Sequence, residues 1–272
     1  MPNFICITCG TQFAETDAPP EHCLICEDER QYVNPDGQRW TTLEDLRKDH
    51  YNRIETLEPN LTGVGTEPQF AIGQRALLVQ TDEGNLLWDC VSLLNEATVE
   101  ALNELGGVQG VAISHPHFYS AAIEYARTFR APVHLHAADR GWVMRPGEEI
   151  EFWEGEQKDL FGGLTLLRLG GHFAGGAVLH WTQGAEGRGA LLTGDIVQVV
   201  PDRRFVSFMY SYPNPIPLPA EEVRRIAQSV QPFAFDRIYG AWWNTVVWEG
   251  AKDAVQRSAE RYIRAIAPRS ET

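Results

Sequence analysis

From about residue 69 onward, short apolar runs alternate with glycine-containing turns. FAIG, RALLVQT and NLLWDC read as successive strands, and DEGN supplies a hairpin turn between the last two. Thr98 to Leu105 has the spacing of an amphipathic helix that stops at Gly106-Gly107. VQGVAIS predicts a buried strand. A helix with Tyr119, Ala122, Ile123 and Ala126 on one face follows, running through Phe129. APVHLHAADRGWV reads as a strand and a short helix, and LTLLRLG, AVLHWTQ and GALLTGD repeat the strand-turn spacing. EEVRRIAQSV and WEGAKDAVQRSAERYIRAIA are helices around a last strand, FDRIYGA. Strand-rich halves, each covered by helices, predict an α+β fold for residues 67–272: a four-layer αββα sandwich.

The first 66 residues follow neither pattern. Residues 1–33 form a cysteine module, and residues 34–66 read as a linker with one short helix. That helix is TTLEDLRKDHYNRI, with Thr41 or Thr42 as N-cap and Leu43, Leu46 and Ile54 as docking residues. His50 reads as a surface residue.

Composition narrows the function classes. The chain has 272 residues, 43% of them hydrophobic and 22% charged, as expected of an ordinary globular protein. Its formal net charge of −14 disfavours general attraction to nucleic acid or anionic membrane. Arg203-Arg204 and Arg224-Arg225 read as solvated surface. No apolar run reaches the roughly 18 residues that cross a bilayer. MPNFICITCG has neither the charged start nor the cleavage site of a signal peptide. The expectation is a cytoplasmic protein with a small-molecule substrate and no membrane or nucleic-acid partner; an oligomer is compatible with the chain.

Two groups of residues carry candidate chemistry. Cys6, Cys9, Cys23 and Cys26 form two C-x-x-C pairs, the spacing of knuckles whose four thiolates surround one tetrahedral ion. Zinc and iron both suit four thiolates, and two disulfides are the alternative. The module resembles a short zinc ribbon and also a small rubredoxin-type domain, although Glu27 stands where rubredoxins usually carry glycine. Such a small unit would draw most of its folding energy from the ion. The second group is His115, His117, His172 and Asp195, each placed where an apolar strand runs into a loop. Three imidazoles and a carboxylate suit zinc or iron.

These residues resemble the metallo-β-lactamase superfamily, whose signature is H-x-H-x-D-H followed by a His, a bridging Asp and a last His. The resemblance runs from about Gln69 to Gly250 and includes GNLLWDC around Asp89. His115, His117, His172 and Asp195 match the first metal site and the bridging carboxylate. Tyr119 and Ser120 stand where the second site's Asp and His would be, and Ala241, Trp242 and Trp243 where the closing His would be.

The resemblance implies a metallo-hydrolase, and with the second site's ligands replaced the expectation is a mononuclear one acting on an ester, lactone or thioester carbonyl. Asp195 would be a ligand or base, and Tyr119 a proton donor in place of the second metal. Ser120, His136, Phe208, Tyr210 and Trp242 are candidates to line the substrate site, with Phe205, Tyr212 and Trp243 beside them. Asp139 would orient His136, whereas His134 and His180 read as strand residues. Asp89 reads as a carboxylate at the site floor and Cys90 as a buried thiol. Two alternatives stay open: a mononuclear-iron oxidoreductase fed by a rubredoxin-like module, and a binding protein built on a decayed hydrolase site.

Overall fold

The cysteine segment has a sheet of its own. Asn3–Cys6 is the centre of three antiparallel strands, flanked by Gln12–Glu15 and Trp40–Thr42. Its third strand therefore comes from the segment that reads as a linker. Leu24–Glu27 forms one helical turn directly after Cys23. Cys6, Cys9, Cys23, Cys26 and Ile25 are buried together, with Phe13, Trp40, Ile72, Trp142 and Met144 packed around them.

The computed structural model describes residues 1–268, so the last four positions of the main domain lie outside the described residues. The chain divides into two units, Met1–Glu154 and a second from Gly155 onward. In the first, beside the cysteine sheet, lies a seven-stranded sheet in the order Ile150–Trp153, Val133–His136, Gly110–Ala112, Gly84–Trp88, Arg75–Thr81, Leu61–Glu67, Tyr51–Glu58. The first four strands run parallel and the rest antiparallel. Helices Glu96–Glu104 and Ala122–Phe129 supply the crossovers that parallel pairing demands. Asn95 caps the first by accepting from Thr98 N, and Arg130 ends the second in a left-handed conformation.

Two readings of this unit change. FAIG is a turn, closed by Gly73 N donating to Phe70 O at 3.0 Å, with Ala71 (φ 50°) and Gly73 (φ 76°) both left-handed. Its apolar composition suits a strand, but that backbone cannot join a ladder. The helix of residues 34–66 is shorter than expected, Leu43–Asp49, capped by Thr42 through Asp45 N. Beyond it the chain turns into the Tyr51–Glu58 and Leu61–Glu67 hairpin, with Asn60 left-handed at the turn. Leu46 is the helix's buried anchor.

The unit from Gly155 onward has a six-stranded sheet: Gln157–Asp159, Leu164–Arg168, Ala177–Trp181, Ala190–Gly194, Arg237–Gly240, Val246–Val247. Only Ala190–Gly194 and Arg237–Gly240 are parallel neighbours in it, and helix Ala220–Ser229 lies between them in sequence. That helix and Ala251–Ile266 contribute Val223, Ile226 and Val255 to a core shared with Val178, Leu191 and Phe208. Two small hairpins, Gln198–Val199 with Val206–Ser207 and Met209–Ser211 with Ile216–Pro217, make up the aromatic segment after Asp195.

Gly189 directly precedes the strand Ala190–Gly194 that leads to Asp195, and it is left-handed at φ 86°. A Cβ there would lie 2.0 Å from the carbonyl oxygen of Ala234, a backbone atom with little freedom to move. Gly189→Ala is expected to cost about 2–4 kcal/mol, read as a lower urea midpoint. An unchanged midpoint would mean that the turn relaxes freely.

Candidate functional site

The parallel strands of the first unit end at the candidate residues. Gly84–Trp88 leads to Asp89, and Gly110–Ala112 leads to Ser114, His115 and His117. Loops at the carboxyl ends of parallel strands diverge and leave room for a ligand. His115 keeps extended backbone (φ −169°), and Pro116 then starts a 3₁₀ turn, Pro116–Phe118, that holds His117. The ring centroids of the two histidines are 5.2 Å apart, and both rings are buried.

A relay sets the tautomer of His115. Asp89 Oδ1 accepts from Ser114 N and from Ser114 Oγ, each at 2.8 Å. With its only hydrogen given to Asp89, Ser114 Oγ acts as acceptor toward His115 Nδ1, 2.8 Å away. Nδ1 then carries the imidazole proton, leaving the Nε2 lone pair to act as a ligand. Asp89 itself is left-handed at φ 59°, a strained conformation for a non-glycine residue, and its N donates to Ala112 O.

The second unit treats His172 in the same way. Its Nδ1 donates to Tyr210 O at 2.7 Å, again leaving Nε2 for a ligand. The loop is shaped by Gly170 and Gly171, both left-handed, and Leu169 N and Gly170 N both donate to Gly176 O. Gly176 has no space for a side chain, since a Cβ would meet Ile196 Cδ1 at 2.7 Å. Arg225, on helix Ala220–Ser229, donates to Leu169 O and ties down the loop. Asp195 follows the strand Ala190–Gly194, where Thr193 Oγ1 donates to Val197 O and closes the turn around it.

His115, His117, His172 and Asp195 form a buried cluster in which one ligand atom per residue lies within 4.8 Å of all the others. Three imidazoles and one carboxylate at that spacing fit a single four-coordinate divalent cation. The four cysteines form a second buried group of the same tightness. Cys6 Sγ lies 3.5 Å from Cys26 Sγ, and Cys9 Sγ 3.6 Å from Cys23 Sγ. A disulfide needs about 2.05 Å, whereas thiolates on a tetrahedral ion at about 2.3 Å are separated by roughly 3.8 Å. None of the four is disulfide-bonded. Burial pushes the Cys9 thiol up, so a cation is what would let four thiolates share this space.

The remaining sequence candidates lie outside that cluster. Tyr119 and Ser120 border a cavity of the first unit shared with Thr11, Gln12, Met144 and Arg145. Ser120 Oγ accepts from Gln74 Nε2 at 2.9 Å, and its carbonyl accepts from Gln12 N at 3.1 Å. Burial pushes the Tyr119 phenol well above its usual range, and the charge of Asp139 adds to this. His136 caps the turn Ala137–Trp142, with Nδ1 accepting from Ala138 N and its ring edge-on to Trp153. His134 faces Glu151 on the neighbouring strand. His180 Nε2 is bonded to Ala234 O. Phe208 is fully buried in the second unit's core, while Tyr210 and Trp242 are half-buried. Sequence reading passed over Ser114, although its place directly before the His-x-His pair was a usable signal. The carbonyl of Tyr210 leaves no such signal.

Burial pushes the Asp89 carboxyl up to about 7, against the two Ser114 bonds that favour its charged form. A folded-state value above the unfolded value of about 3.9 means the protonated carboxyl is the stabilising form. That stability is complete below about pH 4 and lost as pH rises through about 7, on the order of 4 kcal/mol in all. In chelator, wild-type stability relative to Asp89→Asn is expected to fall between pH 4 and 7.5. Parallel urea midpoints across that range would remove this account of Asp89.

Comparison with known proteins agrees with this geometry. The family model described as the metallo-beta-lactamase superfamily matches residues 72–244. The uncharacterized protein YmaE of Bacillus subtilis (strain 168) is 55% identical over 268 residues, 98% of this chain and 97% of that protein. Among solved structures, the DIM-1 metallo-β-lactamase covers 79% of this chain and 98% of its own, with a TM-score of 0.59 at 14% identity. FIM-1 from Pseudomonas aeruginosa, in its mono-zinc form, covers 78% of this chain and 96% of its own, with a TM-score of 0.57 at 11% identity. At such identities the likeness speaks for the fold, a mixed α+β sandwich with the small four-cysteine cluster at its N-terminus. No helix among the described residues is long and apolar enough to cross a membrane. Fold, motif and relatives agree: this chain belongs to the metallo-β-lactamase superfamily.

Proposed function

We propose that the protein is a mononuclear metallo-hydrolase that cleaves an ester, lactone or thioester carbonyl of a small molecule. The observation that carries the reading is the convergence of His115, His117, His172 and Asp195 within 4.8 Å, with the outer nitrogens of His115 and His172 already engaged. A divalent cation on these residues, zinc or iron, would polarise the substrate carbonyl and lower the pKa of water beside it. The protein's part is to hold the imidazoles neutral and oriented, through the Asp89–Ser114 relay and the Tyr210 carbonyl. Asp195 would complete the ligand set or accept a proton there.

Tyr119 keeps its proton at neutral pH, since burial and Asp139 both hold it in the phenol form. It would serve as the donor to the leaving group where the family's second metal has no ligands. Tyr210 and Trp242, half-buried, would contact the substrate. Ser120, His136 and Phe208 would shape the region from behind, because each is already engaged or enclosed.

The cysteine module would hold a structural zinc. In a redox ribbon both knuckles aim close amides at sulfur to tune an iron. Here the second knuckle continues into a helical turn, with Glu27 N donating to Cys23 O at 3.0 Å. Localisation in the cytoplasm fits a module of four reduced thiols.

His117→Ala should lose the main-domain ion and with it hydrolysis of a mixed ester, lactone and thioester panel. Equal rates for this variant and the wild type would remove the hydrolase reading. Ser114→Ala should retain the fold while weakening cation affinity by about 10–100-fold, as followed by calorimetry. Tyr119→Phe should lower kcat by about 10²-fold with ion content unchanged; an unaltered kcat would take Tyr119 out of the mechanism.

A further inference from the structure

We propose that the four-cysteine module sets the cation affinity of the His/Asp cluster, by clamping the two loops that carry Asp89 and the His115–His117 turn. This rests on the metallo-hydrolase reading above.

The clamp begins one residue after a cysteine. Gly10 N donates to Cys6 O at 2.8 Å, which closes the first knuckle, and Gly10 is left-handed at φ 80°. In that conformation its carbonyl accepts from Ser92 Oγ at 2.7 Å, three residues along the chain from Asp89. The approach is tight: a Cβ on Gly10 would lie 2.5 Å from Ser92 Oγ and 3.1 Å from Ala71 Cβ. Two residues further on, Gln12 N donates to Ser120 O at 3.1 Å, which pins the far end of the His115–His117 turn.

Ser120 needs that hold. It is left-handed at φ 39° and carries a side chain, a conformation that persists only where surrounding bonds impose it. Its hydroxyl accepts from Gln74 Nε2, whose amide also donates to Cys90 O, so the Asp89 loop and the His turn share one brace. Around this, Arg145 donates to Gln12 Oε1 and to Glu124 Oε1, Gln12 Nε2 donates to Glu124 Oε1 at 3.1 Å, and Ala14 N donates to Met144 O.

Without an ion among its four thiols the module has little core to keep it folded. Its loss would release Gly10 O and Gln12 N together. The His115–His117 turn would then have to be ordered at the moment of cation binding, and that entropy would come off the affinity. Coupling of this kind is reciprocal, so a cation on the histidines should also tighten the module.

The test uses full-length metal-free protein titrated with cobalt(II). Thiolate-to-cobalt absorption reports the cysteine site, calorimetry reports the second ion, and amide exchange is followed over residues 113–121. Wild type is compared with Cys9→Ser/Cys23→Ser, which removes the module's ion. It is also compared with Ser92→Ala/Arg145→Ala, which removes the clamp's side-chain ties to Gly10, Gln12 and Glu124 and leaves every cysteine and histidine in place. The expected result is two ions in the wild type. In both variants the second ion should bind roughly tenfold more weakly and exchange over residues 113–121 should be faster, while only the clamp variant keeps the thiolate absorption.

Unchanged affinity and exchange in the clamp variant would overturn the coupling, whatever the cysteine variant does. If the wild type takes a second ion and the sites are independent, the coupling alone fails. If it takes no ion sensitive to His115→Ala, the metallo-hydrolase reading fails and the coupling with it.

Discussion

Buried ligand atoms brought close together are the constraint on which this protein turns. Three imidazoles and a carboxylate, all buried, each bring one ligand atom within 4.8 Å of the others. Burying them costs desolvation, and a cation held among them would offset it. The fold meets the cost in advance by fixing proton positions. His115 donates into the Ser114–Asp89 pair and His172 donates to a main-chain carbonyl, so each keeps its Nε2 unprotonated. The four cysteines present the same problem with a different donor set.

Strain gathers where this pre-organisation is built. Asp89 and Ser120, both non-glycine, adopt left-handed backbone at the ends of the two loops that flank the histidine pair. In the second unit, left-handed Gly170 and Gly171 and the closely packed Gly176 shape the turn that carries His172. Rigid sheets deliver the chain to these places, and hydrogen bonds from Gln74, Gln12 and Arg225 keep the irregular backbone there. Departures from regular structure thus coincide with the candidate chemistry, as expected when a site is held by its scaffold rather than by local preference.

The two positions that follow Phe118 also have a structural part. Tyr119 and Ser120 occupy those positions, and both border a cavity shared with the cysteine module. Ser120 bonds through its hydroxyl to Gln74 and through its carbonyl to Gln12. Ser120 thus takes part in joining the module to the sheet.

Much of this was legible in the chain. The C-x-x-C pairs, the His-x-His at a strand end, and His172 and Asp195 each before a turn are local signals, because ligand chemistry needs specific side chains at short spacings. The parallel strands and their helices follow from apolar periodicity in the same way. FAIG and the Tyr51–Glu58 strand were misread because a short apolar or mixed run fits several conformations, and pairing partners decide between them. The tertiary structure alone decided the tautomer of His172, set by a carbonyl 38 residues away, and the hold of Gln12 on Ser120. Backbone groups are the same in every residue, so no sequence pattern announces which of them will meet. A sequence names the donors; only folding decides which atoms face them.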